Sequence, residues 1–451
     1  MEKEKITEFI KQGNYQKVKF GFSDIDGVLR GKVVHKDKFL DTLGKSIGFC
    51  DVVFGWDVND QCYDNSKITG WHTGFPDTRA SIDLSTFRTV PWDGQIPFFI
   101  ADFSQVGTDG LPACPRTLLK KVRKQAEEMG LKAVFSMEFE WFNFVGHPNQ
   151  LAESGYQKLQ PVSPGMFGYS IIRPSLYKDY FNALFDQLLQ FDVPIEGIHT
   201  ETGPGVYEAT VIYDDILNAA DKAILFKTGV KEIALQYGLV ASFMAKWNEQ
   251  LPGCGGHIHQ SLWDEKGKNI FFSEGNKGHI SAKMKSYLAG ILKCLPEVLP
   301  MYAPNINSYK RLREGAWAPT TLSWGHDNRT VAARVISDSE KSTRLEMRVP
   351  GADANPYLAM TACLASGLYG IKNNLELDIE ETIGNGYTNK QNKKLPAGLA
   401  EATSRMKNSA IARELFGNGF VDHFTATREW ECREYAKAVT DWELQRYFEI
   451  I

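Results

Sequence analysis

The sequence predicts an α+β protein of two domains, on three observations. At 451 residues the chain exceeds the size at which one hydrophobic core keeps growing, so two domains and a substantial core follow. Short apolar runs and helical runs succeed one another irregularly, without the strand–helix alternation of a parallel doubly wound sheet. The first 105 residues or so are crowded with short apolar runs, aspartates and turns, and longer helices begin only after them. The division is placed at 1–105 and 106–451.

In chain order, 3–12 reads as a short helix, and VKFGFSDIDGVLRGKVV as two strands around the turn formers Asp24-Ile25-Asp26-Gly27, a β-hairpin. Pro115 opens a helix through RTLLKKVRKQAEEMG that Gly130 closes. Further helices are expected at 176–189, 214–237, 280–295 and 356–372, with the strands between them holding most of the unusual polar residues. No internal repeat, low-complexity tract or heptad pattern interrupts this plan.

Composition narrows the function classes. A formal charge of -4 and a pI near 6.2 supply no general basic field, which argues against nucleic acid as the main partner. Seven widely spaced cysteines without a C-x-x-C pair indicate neither a disulfide framework nor a zinc cluster, and fit a reducing cytoplasm. The N-terminus MEKEKITEFIKQGNYQ is charged, and no run approaches the roughly 18 apolar residues of a membrane span, so a soluble, unprocessed protein is expected.

Four segments carry candidate chemistry. In FSMEFEWFNF, period-2 alternation puts Glu138 and Glu140 on one strand face, roughly 7 Å apart, and Met137, Phe139 and Trp141 on the other. Two such carboxylates are costly unless cations or solvent face them, and a solvated strand face is the alternative. In IEGIHTETGPGVYEATVIY, the turn Thr202-Gly203-Pro204-Gly205 brings Glu201 near Glu208, although acids flanking a hairpin are commonplace. In LPGCGGHIHQSLWD, small residues let the backbone approach a ligand before His257 and His259, which share a strand face, and metal ligation is one use of them. In STRLEMRVPGADANPYL, Arg344, Glu346 and Arg348 share a face as a basic-acidic-basic row that could equally be a salt-bridge ladder. Together they offer five carboxylates and one imidazole as candidate ligands, a set that suits hard divalent ions such as Mg²⁺ or Mn²⁺ rather than structural zinc. Cations bridging phosphate oxygens, with arginines beside them, are what phosphoryl transfer requires.

Taken in order, KFGFSDIDGVLRGK, MEFEWF, ETGPGVYE, GHIHQSL, NSYKRL, DNRT and RLEMRVPGADANPYLA resemble the glutamine synthetases of the bacterial type over nearly the full length. The resemblance implies a β-grasp-like N-terminal domain, then a catalytic domain whose curved antiparallel sheet lines a two-ended funnel. It implies a homo-oligomer of stacked hexameric rings, a dodecamer, with sites between neighbouring subunits. One metal would be held by Glu140, Glu201 and Glu208, the other by Glu138, His257 and Glu346. Glutamate would be gripped by Arg311, Arg348 and the Gly253 backbone, with Tyr169 and His257 also on the substrate side. Arg329 and Arg334 would stabilise the transferring phosphate, and Glu196, His259, Ser261, Lys341 and Arg344 would face ATP. The implied reaction activates the γ-carboxylate of glutamate as γ-glutamyl phosphate, which an amine then attacks.

Two departures point toward amines rather than ammonia. Ammonia-using members carry a glutamate in a loop like P-G-Y-E-A-P, whereas EGAWAP places Trp317 there, an apolar, cation-accepting wall that suits a substituted amine. Packing of the loop by Trp317 is the alternative. The usual D-G-S-S segment gives way to FGWDVNDQCYDNSKITGW, where Asp57 or Asp60 is the candidate to deprotonate the amine from a neighbouring subunit. These features look like the γ-glutamyl-amine and γ-glutamyl-polyamine ligase branch. Pro252 also replaces a common asparagine, and Tyr387 lies in a context unlike the family's adenylylation loop. An ammonia-using synthetase and a non-catalytic ring protein are the rival readings.

Overall fold

The computed structural model describes residues 3–103 and 110–451. Its first sheet has five strands, β1 (Lys17–Ser23), β2 (Leu29–His35), β3 (Ser46–Cys50), β4 (Asp77–Val90) and β5 (Ile96–Asp102), in the order β2-β1-β5-β4-β3. The expected β1–β2 hairpin forms because Asp24 Oδ1 accepts from the Asp26 and Val28 amides at 3.0 and 2.9 Å, while Gly27 takes φ +80°. Only glycine fits there: a Cβ on Gly27 would lie 2.9 Å from the Asn355 Cα. The parallel β1–β5 pair, flanked by antiparallel neighbours, is consistent with a β-grasp-like domain. The division expected at residue 105 falls outside the described residues.

The second sheet contains β6 (Leu131–Val145), β7 (Ile195–Thr200), β8 (Val206–Val211), β9 (Asp214–Asp215), β10 (Leu239–Ser242), β11 (Gly256–Asp264), β12 (Trp324–His326), β13 (Ala333–Ile336) and β14 (Arg344–Met347). The main order is β12-β13-β14-β11-β6-β8-β7, with β9 and β10 also pairing β6. Every pair except β12–β13 is antiparallel. Alternation along β6 works as expected: Met137, Phe139 and Trp141 are fully buried, and Phe139 stacks on Phe226 of the helix Ile216–Gln236 with ring centroids 5.4 Å apart. Behind the sheet, helices Ala282–Val298 and Pro356–Lys372 cross so closely that a Cβ on Gly370 would come within 2.0 Å of the Ser286 carbonyl.

The four expected helices form, Pro356–Lys372 at its expected bounds and the other three with shifted ends. Residues 176–189 begin instead as a 3₁₀ turn, Arg173–Tyr177, because Pro174 opens it and Tyr177 leaves the helical region before the helix Lys178–Gln190. Asp214 and Asp215 are spent on a short bridge to β6, and Asp215 caps the following helix by accepting from the Leu217 amide. The two sheets are locked together by Arg116, which reaches Asp102 at 2.7 Å and Asp83 at 2.9 Å on the first and Asp221 at 2.8 Å on the helix behind the second.

Candidate active site

Cross-strand register gathers the acidic and imidazole side chains into one row. Glu138 of β6 faces His257 of β11, and Glu140 faces Glu208 of β8. Glu208 faces His199 of β7, Glu346 of β14 faces His259 of β11, and Arg334 of β13 faces Glu346. Side chains on one sheet face at opposed positions are neighbours, so residues far apart in sequence meet over one floor.

Two groups of ligand-type atoms result. Glu138, His259 and Glu346 bring one atom each within 4.8 Å of one another, and His199, Glu201 and Glu208 do the same. Each differs from the expected set by one member. His257 is nonetheless at hand, its Nδ1 lying 3.0 Å from Glu138 Oε1 and 3.5 Å from Glu346 Oε1. Its Nε2 lies 3.4 Å from Arg311 Nη2, a donor only, so Nε2 accepts and Nδ1 carries the proton toward the carboxylates. Glu140 is turned aside, its Oε2 accepting from the Gly255 amide at 2.7 Å. His199, absent from the sequence expectation, lies 3.0 Å from Glu208 Oε1 and under the Tyr169 ring, centroids 4.6 Å apart. Its position two residues before Glu201 on β7 was the available signal.

Electrostatics show where charge is unbalanced. Burial pushes the Glu208 carboxyl up, against a hydrogen bond from His199 and with the charges of Glu138, Glu140 and Glu201 adding to it. His199 is also pushed up, chiefly by its hydrogen bond to Glu208. Burial works the same way on Glu138 and Glu346 but is outweighed there: hydrogen bonds from His257 and His259 hold Glu138 well below the carboxylate range, and Arg348, His257 and His259 hold Glu346 at about 2. Glu346 is gripped from both sides, by Arg334 Nη1 at 2.9 Å and by Arg348 Nη1. The concentration of carboxylates around Glu208 fits a bound cation, which would relieve their mutual repulsion.

Glu138, Glu140, Glu201, Glu208, His257 and Glu346 floor a cavity of about 480 Å³. Its walls include Tyr169, Gly253, Arg311, Trp317, Arg329 and Arg348, each a residue picked from sequence for the substrate or phosphate. Arg311 is fixed by bonds to the Val349 and Arg348 carbonyls at 2.9 and 3.3 Å. Gly253 is required, since a Cβ there would sit 2.4 Å from the Ala245 carbonyl and 2.9 Å from Arg311 Cγ. A second cavity of about 490 Å³ contains all five residues expected to face ATP, Glu196, His259, Ser261, Lys341 and Arg344. Glu138 lines both cavities, so they meet at the acidic row.

Asp57 and Asp60 line neither cavity. Asp57 is committed within its own chain, Oδ1 to the Asn59 and Gln61 amides and Oδ2 to Trp430 Nε1 at 3.0 Å. Asp60 is more exposed and pairs Arg30 at 2.8 Å; Asp64, which the sequence reading passed over, is exposed beside Arg433.

Residues 112–447 match the family described as glutamine synthetase, catalytic domain. The chain belongs to the glutamine synthetase family. It is 51% identical to Type-1 glutamine synthetase 2 of Dictyostelium discoideum, over 99% of this chain and 86% of that one. It is 37% identical to glutamate–isopropylamine ligase of a Pseudomonas species, over 99% and 98% respectively. A solved GmaS/ADP complex superposes with a TM-score of 0.85 at 24% identity, covering 98% of this chain and 99% of that one, which shows the shared fold. Membership makes the protein a carbon–nitrogen ligase that uses ATP and a divalent metal. Among the described residues, no helix is long and apolar enough to cross a membrane.

Proposed function

We propose that this ligase joins the γ-carboxylate of glutamate to a substituted amine through γ-glutamyl phosphate. The observation that carries the choice of amine is Trp317, 61% exposed in the wall of the glutamate-side cavity, where the family resemblance leads one to expect a carboxylate. An indole face removes the charge that would attract ammonium and offers a broad surface to an alkyl or cationic group. Trp317 is held at φ +56°, a costly backbone for a bulky side chain, and Arg348 Nη2 approaches its carbonyl at 3.5 Å.

Mg²⁺ or Mn²⁺, bound with ATP, would supply Lewis acidity at the transferring phosphoryl group, and the all-carboxylate and imidazole donor set suits either ion. The protein's own residues do the rest. Arg311 and Arg348 hold and orient the glutamate carboxylate, and Arg329 and Arg334 balance charge on the acyl phosphate. Tyr169 and Trp317 narrow the mouth against water that would hydrolyse it. Asp60 and Asp64 suit proton removal by a neighbouring copy better than Asp57, whose oxygens are already used. A ring-shaped homo-oligomer, a dodecamer in the family, and a reducing cytoplasmic location complete the proposal.

The relative at 51% identity is named as a glutamine synthetase, and an ammonia-using enzyme would share everything except the amine pocket. Steady-state phosphate release with ammonium and with a panel of alkyl, aryl and polyamines separates the two readings. A substituted amine is expected to give the highest kcat/KM, and Trp317→Glu to move the preference toward ammonium by about tenfold. Ammonium as the best substrate of the wild-type enzyme would overturn the proposal.

A further inference from the structure

A third cavity, of about 510 Å³, adjoins the glutamate-side one, and Trp317 and Arg329 line both. Trp317 is therefore a partition with space on each side. The far side is walled by the loop after β12 and by the segment 381–384. Its walls are built rather than incidental. Asn328 Nδ2 donates to the Thr382 and Gly384 carbonyls at 3.0 and 2.8 Å, and the Gly386 amide donates to Thr330 Oγ1 at 2.8 Å.

The chemistry of this cavity differs from that of the active-site floor. Asp327 takes φ +46°, a second left-handed non-glycine residue ten positions after Trp317, and its side chain is 75% exposed. Both of its hydrogen bonds from Arg334 go to Oδ1, and neither uses Oδ2. Glu381 lines the same cavity, its Oε1 2.7 Å from His326 Nδ1. Ile383, 87% exposed, gives the rim an apolar edge beside the indole. The cations at this junction are Arg329, shared with the active cavity, and Arg334, already engaged by Asp327 and Glu346.

We infer that the far cavity receives the substituent of the amine substrate, and that Asp327 and the His326–Glu381 pair select an amine bearing a second cationic group. The inference rests on the amine-ligase reading above. The reacting nitrogen stays on the glutamate side of Trp317, the methylene chain passes along the indole and Ile383, and the distal ammonium meets the carboxylates. An indole partition suits this division, because its face accepts both methylenes and a passing cation. A carboxylate with one oxygen uncommitted gives the distal ammonium a charge-assisted hydrogen bond.

The test compares kcat/KM for 1,4-diaminobutane with that for n-pentylamine, its counterpart of similar length without the second amino group, and with ammonium. Wild type and Asp327→Asn are both assayed by phosphate release. Asparagine tolerates the left-handed backbone, and the ratio between two amines cancels any effect on Arg334 at the phosphoryl step. Wild type is expected to prefer the diamine by about tenfold, and Asp327→Asn to lose most of that preference. Equal use of the two amines by wild type would overturn the selection of a second cation and leave the amine-ligase reading standing. An unchanged ratio in Asp327→Asn would overturn the role of Asp327. Ammonium outperforming both amines would overturn the amine-ligase reading, and this inference with it.

Discussion

Glu346→Gln removes the charge from a carboxylate that is 1% exposed and held between two guanidinium groups. Arg334 and Arg348 are themselves 12% and 7% exposed at the side chain, so water compensates little. Breaking a buried ion pair from one side costs about 3–5 kcal/mol, and glutamine keeps one acceptor oxygen, which points to the lower end. With an unfolding entropy of about 2.1 cal/mol/K per residue, 451 residues give ~0.95 kcal/mol/K, so ~3 kcal/mol lowers Tm by ~3 °C. Scanning calorimetry on the protein free of metal and nucleotide reads this directly. Below the transition, phosphate release is expected to fall by about 10²–10³-fold, as when a preorganised charge is lost from an active site. A Tm within about 1 °C of wild type would refute the clamp, and full activity in a folded variant would refute the assignment of Glu346 to the metal row.

Two further outcomes concern the frame. Arg116→Ala leaves Asp83, Asp102 and Asp221 facing one another around a nearly dry centre, and should cost about 3–5 kcal/mol, seen as a lowered Tm; an unshifted transition would show that the junction between the sheets does not depend on it. His423 is 2% exposed, and burial, helped by Arg428, pushes its imidazole down to about 4. The unfolded chain then binds a proton that the folded one refuses, so stability falls as pH drops from about 6.5 toward 4, by ~2 kcal/mol between pH 7.5 and 5. His423→Gln should flatten that dependence in paired melts at the two pH values, and an unchanged slope would assign it to other groups.

Most of the fold was legible because its signals are local. Asp24 to Gly27 specify a hairpin by their own backbone preferences, and alternation in FSMEFEWFNF separates core from site without reference to any other segment. The helix expected at 356–372 forms at those bounds, with Asn355 accepting from the Tyr357 and Leu358 amides at its start and Pro356 as its first residue. Trp317 was conspicuous by residue type alone.

What the sequence by itself determined is the set of groups: five carboxylates and a histidine on strand faces, the arginines around them, and an indole in a loop. Which of them meet was decided by the tertiary structure, because strand register depends on pairing between distant segments, as between Glu138 and His257, 119 residues apart. That pairing brought His199 beside Glu208, turned Glu140 to the Gly255 amide and set Glu346 between two arginines. Helix packing likewise engaged Asp57 with Trp430, 373 residues away. The space beyond Trp317 has no sequence signature, since it exists only because the segment 381–384 is tied across the loop at Asn328. Side-chain direction is a local property with period two; a cavity belongs to no single segment.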